Sequence, residues 1–159
     1  MSPTVGAQVP EVTAEAYVPG THEPQPVSVP SRDGAWTALV FYPGDFTCVC
    51  PTELCGFAEL QDEFADAGAT LLAASTDSYY AHKAWFESNE LLSGVRYPVL
   101  ADPSEELRRA FGADRGTFLI DPGGVVRHAS ADLSPAETLQ ALRALVRWRP
   151  AVAPLSVAA

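Results

Sequence analysis

Two apolar runs of strand length constrain the fold of this chain more than anything else in it. Trp36-Thr37-Ala38-Leu39-Val40-Phe41-Tyr42 is one and Thr70-Leu71-Leu72-Ala73-Ala74-Ser75 is the other. Such runs have the pattern of strands buried on both faces. Between them, Glu53, Leu54, Phe57, Leu60 and Phe64 mark a helix with one apolar face. Pro51 sits at its first turn, and it runs to about Asp66 before Gly68 ends it. Strand, helix, strand at this spacing is a crossover unit, so part of the sheet is parallel.

The rest of the chain extends that sheet. Residues 1–34 contain Pro10, Pro19, Pro24, Pro26 and Pro30, which exclude a helix and a central strand and leave short edge strands at Val9–Val12 and Val27–Val29. Asp77 or Ser78 caps a helix reaching about Glu90, with Trp85 and Phe86 facing inward. Tyr97–Ala101 is a short strand, and Ser104–Phe111 a short capped helix stopped by Gly112. Arg115–Asp121 and Val125–Ala129 form a hairpin around Pro122-Gly123-Gly124. Ser134-Pro135-Ala136-Glu137 opens a last helix whose inward face is Leu139, Leu142, Leu145 and Val146. The expected class is an α/β fold with a central mixed sheet flanked by helices. One domain spans 1–159, with a core at about 8–148 and a small, apolar tail at 150–159 that is either loose or docked on a partner subunit.

Composition narrows the function classes. A formal net charge of −10 argues against a broad surface for nucleic acid or anionic membrane. No stretch of about 18 apolar residues suggests a membrane span, and the first residues lack the pattern of a secretory signal. A cytoplasmic protein is expected. The three cysteines, Cys48, Cys50 and Cys55, fall within eight residues; an odd, clustered set points to redox chemistry or metal in a reducing compartment.

These cysteines lie just past the carboxyl end of a buried strand and at a helix start, the usual place for a site in such sheets. Cys50 precedes the first helical turn, where unpaired N–H groups and the helix dipole favour an anion and so a reactive thiolate. Arg115, at the start of a strand able to pair beside the strand leading to Cys50, is the candidate cation. Thr47 can donate a hydrogen bond to a thiolate or a peroxide oxygen, and Pro43 can shield the thiolate from water. Attack on a peroxide O–O bond gives a sulfenic acid, which a second thiol condenses to a disulfide.

Pro43-x-x-x-Thr47-x-x-Cys50, within Asp45-Phe46-Thr47-x-Val49-Cys50-Pro51-Thr52-Glu53, resembles the active-site motif of the peroxiredoxins, closest to the typical two-cysteine and alkyl hydroperoxide reductase branch. Ser75-Thr76-Asp77-Ser78-x-x-x-His82-x-x-Trp85 and Asp114-Arg115-Gly116-Thr117-Phe118 match further blocks in the same order. The resemblance covers about residues 8–148. It implies a thioredoxin fold with an N-terminal hairpin extension and a thiol peroxidase acting on hydrogen peroxide or alkyl hydroperoxides. Cys50 would be the peroxidatic cysteine, with Thr47, Arg115 and Pro43 around it and no cofactor or metal. It also implies a homodimer recycled by a thioredoxin-like or low-molecular-weight thiol. Glu53 is a first-turn acid that can also orient Arg115. His82 and Trp85 read as packing and pocket wall.

One element departs from that branch. Its resolving cysteine lies in a C-terminal Val-Cys-Pro segment, whereas no cysteine follows Cys55 in these 159 residues. The expectation is resolution without that residue. Cys50, Glu53, Cys55 and Phe57 are similar to the bacterioferritin-comigratory pattern, in which the second cysteine resolves within one chain. Helical residues five apart stand roughly 8–9 Å between Cα atoms, and a disulfide needs about 4.4–6.8 Å. Cys50 and Cys55 therefore join only if the first helical turn unwinds. Cys55 is the first candidate; Cys48, whose ring with Cys50 would be small and strained, and an external thiol are the others. The rival functions are a redox sensor using the same oxidation with little turnover, and a zinc site, for which His82, the nearest histidine, lies on a different element.

Overall fold

The computed structural model describes residues 5–46, 50–112 and 115–147. A single seven-stranded mixed sheet organises them, in the order β2-β1-β5-β4-β3-β6-β7. The strands are β1 (Val12–Tyr17), β2 (Gln25–Val29), β3 (Trp36–Phe41), β4 (Ala69–Ser75), β5 (Val99–Ala101), β6 (Gly116–Ile120) and β7 (Val126–Ser130). The helices are α1 (Cys50–Glu59), α2 (Gln61–Asp66), α3 (Tyr79–Ser88), α4 (Glu106–Phe111) and α5 (Pro135–Arg147), with a 3-10 turn at Glu90–Leu92.

The two apolar runs are the centre of the sheet. β3 pairs in parallel with β4, Leu39 opposite Leu72, and β4 in parallel with β5. On its other side β3 pairs antiparallel with β6, Phe41 opposite Gly116, and the β6–β7 hairpin closes that end. Because side chains alternate along a strand, β3 supplies two cores. Ala38, Val40 and Tyr42 pack with residues of α1, α2, α3 and α5. Leu39 and Phe41 pack with α4 and the N-terminal strands on the opposite face.

Four elements differ from the sequence reading. β1 begins where the strand at Val9–Val12 was expected to end, and it is interior, lying between β2 and β5. The six residues from Val12 to Tyr17 contain no proline, so their backbone is free to pair on both sides. Pro26 falls on β2, at the sheet edge, where proline is tolerated. The helix expected from Pro51 to Asp66 is two helices. Leu60 leaves helical geometry (φ −104°, ψ 5°), and its amide bonds back to Phe57 in a tightened turn. α4 is capped by Asp102 rather than by Ser104. The Asp102 carboxylate accepts from the amides of Leu107 (3.0 Å) and Arg108 (2.9 Å). Finally, α3 stops at Ser88, and the 3-10 turn replaces its expected last turn.

Candidate active site

The candidate site lies at the carboxyl end of β3. The chain leaves the strand at Phe41, passes Tyr42, Pro43, Gly44, Asp45 and Phe46, and re-enters regular structure at Cys50, the first residue of α1. Thr47 and Cys48 lie outside the described residues. For Cys50 the described feature is its backbone position, at the N-terminus of a ten-residue helix with Glu53 in its first turn.

Arg115 reaches this corner because β6 runs beside β3. Pairing of Phe41 with Gly116 sets Arg115 next to the end of β3. Its guanidinium donates to Glu53 Oε1 at 2.5 Å, so the cation and the first turn of α1 are tied across the sheet end. The other carboxylate oxygen, Glu53 Oε2, is buried and has no hydrogen-bond partner among the described residues. Pro43 is exposed and borders a small cavity with Phe41, Tyr42, Ser75, Thr76, Asp102 and Arg108. Trp85 is buried, its ring 6.0 Å from Tyr42, 6.1 Å from Phe46 and 5.4 Å from Phe86, so it backs the loop.

The loop is also held by a buried polar network that sequence reasoning missed. Asp45 accepts from the Tyr42 hydroxyl at 2.5 Å and sits 2.7 Å from His82 Nδ1. The other ring nitrogen of His82 meets the Leu100 carbonyl at 2.9 Å. The Asp45 amide donates to Asp77 Oδ2 at 2.8 Å, and Ser75 donates to the same oxygen. Burial first, and then the Asp45 carboxylate, push the Tyr42 phenol well above its usual range, so it stays a donor. His82 thus packs, as read from sequence, and also tethers the loop. Asp45 and His82 are 37 residues apart, so no local spacing announces their contact.

Cys55 carries a free, half-buried thiol on the same helix, its sulfur 4.0 Å from Glu59 Oε1. Helix α1 is intact between Cys50 and Cys55, so the two cannot be joined in this conformation. Helix α1 itself is fixed from Leu54 onward. Leu54 and Phe57 are fully buried, Gly56 lies so close to Pro135 that an added Cβ would stand 2.9 Å from the ring, and Tyr97 donates to the Leu54 carbonyl at 2.8 Å.

The mixed sheet with flanking helices is a thioredoxin-like fold, and the solved structures that resemble it are peroxiredoxins. The model of the AhpC/TSA family matches residues 5–129, and the chain belongs to that family. Alkyl hydroperoxide reductase C of Staphylococcus haemolyticus is 40% identical over 124 residues, covering 73% of this chain and 66% of the relative. The protein of the same name from Ferdinandcohnia aciditolerans is 46% identical over 114 residues, covering 65% and 66%. The aligned part is thus about two thirds of the length of these curated relatives. Among solved structures, Enterococcus faecalis AhpC superposes with a TM-score of 0.84 at 30% identity, covering 91% of this chain and 93% of that one. The reduced 2-Cys peroxiredoxin of Plasmodium vivax gives 0.81 at 31% identity, covering 90% and 82%.

Proposed function

We propose that this chain is a thiol-dependent peroxidase that reduces hydrogen peroxide or alkyl hydroperoxides at Cys50. The observation that carries this reading is the corner where Cys50 starts α1 while Arg115, arriving from β6, is held by Glu53 of the same first turn. The helix N-terminus and the guanidinium both favour a thiolate over a thiol. The thiolate sulfur attacks the distal peroxide oxygen, the O–O bond breaks, and the departing alkoxide or hydroxide takes up a proton. Cys50 becomes a sulfenic acid. Thr47 donates to the peroxide, and Pro43 limits water at the thiolate.

In the second half of the cycle the Cys55 sulfur attacks the sulfenic sulfur. An S–S bond forms, the S–O bond breaks, and hydroxide leaves with the thiol proton as water. A thioredoxin-like protein or a low-molecular-weight thiol then reduces the disulfide. The protein acts as a homodimer in the cytoplasm. No described helix is long and apolar enough to cross a membrane.

Steady-state peroxide consumption coupled to a thioredoxin system tests the reading. Turnover that Cys50→Ser abolishes is expected. Stoichiometric oxidation of Cys50 without turnover would replace the enzyme with a redox sensor. Peptide mapping after one equivalent of peroxide is expected to find Cys50 joined to Cys55. A Cys55→Ser variant that still forms an intrachain disulfide would assign the step to Cys48.

A further inference from the structure

We infer that Tyr97 is a positioning residue for the resolving step, holding Cys55 in place while the first turn of α1 unwinds toward it. The inference rests on Cys55 being the resolving thiol. Its physical basis is the peptide unit. The Leu54 carbonyl that receives the Tyr97 hydroxyl at 2.8 Å is coplanar with the Cys55 nitrogen and Cα. Fixing that oxygen therefore fixes where the Cys55 side chain starts.

The bond lies at the boundary between what must move and what need not. Closing the disulfide requires residues 50–54 to leave helical geometry, which strips the amides of Leu54 and Cys55 of their acceptors four residues back. The Leu54 carbonyl looks the other way, down the helix, and its second lone pair is free for Tyr97. Unwinding from the N-terminus leaves that carbonyl and its partners untouched.

Tyr97 is itself well anchored. It is 5% exposed, and burial pushes its phenol far above the usual range, with Cys55 adding to the shift, so the hydroxyl keeps its proton to donate. The segment carrying it is clasped to α2. Gln61 donates to the Gly94 carbonyl at 2.7 Å and accepts from the Arg96 amide at 2.9 Å, and Arg96 pairs with Asp62 at 2.8 Å. Together with the close approach of Gly56 to Pro135, this clasp makes the second half of α1 a fixed platform. The described side-chain tie on the first half is the single Glu53–Arg115 pair.

The test is single-turnover kinetics on Tyr97→Phe, which removes one oxygen and keeps the ring. The rate constant for oxidation of Cys50 by peroxide is expected to be unchanged. The rate of Cys50–Cys55 disulfide formation is expected to fall about five- to tenfold, the scale of one lost hydrogen bond. The fraction of Cys50 driven to sulfinic acid by excess peroxide is expected to rise in step. A variant that forms the disulfide at the wild-type rate overturns the inference. Gln61→Ala, which loosens the segment without touching Tyr97, is expected to shift the partition the same way, and an unchanged partition there counts against the clasp. Peptide mapping of the wild-type disulfide in the same experiment separates the two levels. A bond other than Cys50–Cys55 removes the underlying reading, whereas that bond with an indifferent Tyr97→Phe removes only the role of Tyr97.

Discussion

Three side chains show how much chemistry depends on single contacts. Glu53→Gln keeps the shape of the first turn but removes the charge that holds Arg115. The second-order rate constant for Cys50 oxidation, read by stopped-flow, is expected to fall about tenfold, because charge-assisted bonds are roughly twice as strong as neutral ones. Tyr42→Phe leaves Asp45 Oδ1 without its hydroxyl donor in a buried site. It is expected to cost about 1–3 kcal/mol in denaturant unfolding. His128 on β7 is a titration probe. Burial holds its imidazole below the usual range, so the unfolded chain binds a proton there more readily than the native one. The stability it contributes is full above the ordinary histidine value of about 6.5 and is lost as pH falls through the lower native value. Thermal midpoints are expected to drop on acidification through that window, and less so in His128→Gln.

At the scale of elements, the central strands β3 and β4 and the start of α1 were legible because their signals are local. The run Trp36–Phe41 reads as a buried strand wherever it is placed, and Pro51 marks a helix start from its own chemistry. What was not legible depends on partners distant in the chain. The apolar spacing of Leu54, Phe57, Leu60 and Phe64 fits one helix, and only the packing separates α1 from α2 at Leu60. Asp102 outcompetes Ser104 as the cap of α4 because its carboxylate reaches two amides at once. The Asp45–His82 tether joins elements that the sequence lists far apart. The interface of α1 with α5 gives a prediction of its own. Gly56→Ala places a methyl 2.9 Å from the Pro135 ring, and such overpacking is expected to cost about 1–3 kcal/mol. Adding Pro135→Ala to Gly56→Ala is expected to recover most of that loss, a coupling that a double-mutant cycle of unfolding free energies measures.

At the scale of the whole molecule, the sheet has two unlike ends. β2, with Pro26 on it and Pro24 and Pro30 just outside it, is one edge. β7 is the other. Residues 6–8 cover its beginning, with Gly6 donating to the Val126 carbonyl and Val126 donating to the Ala7 carbonyl. Among the described residues, no strand lies beyond Arg127–Ser130. Proline on an edge strand discourages addition of another strand, so lateral growth of the sheet has one available side. A particle that can add a neighbour on one side only terminates after one addition. Were two copies to meet edge to edge at β7, each would saturate the other, and association along the sheet would close as a pair rather than run on as a ribbon.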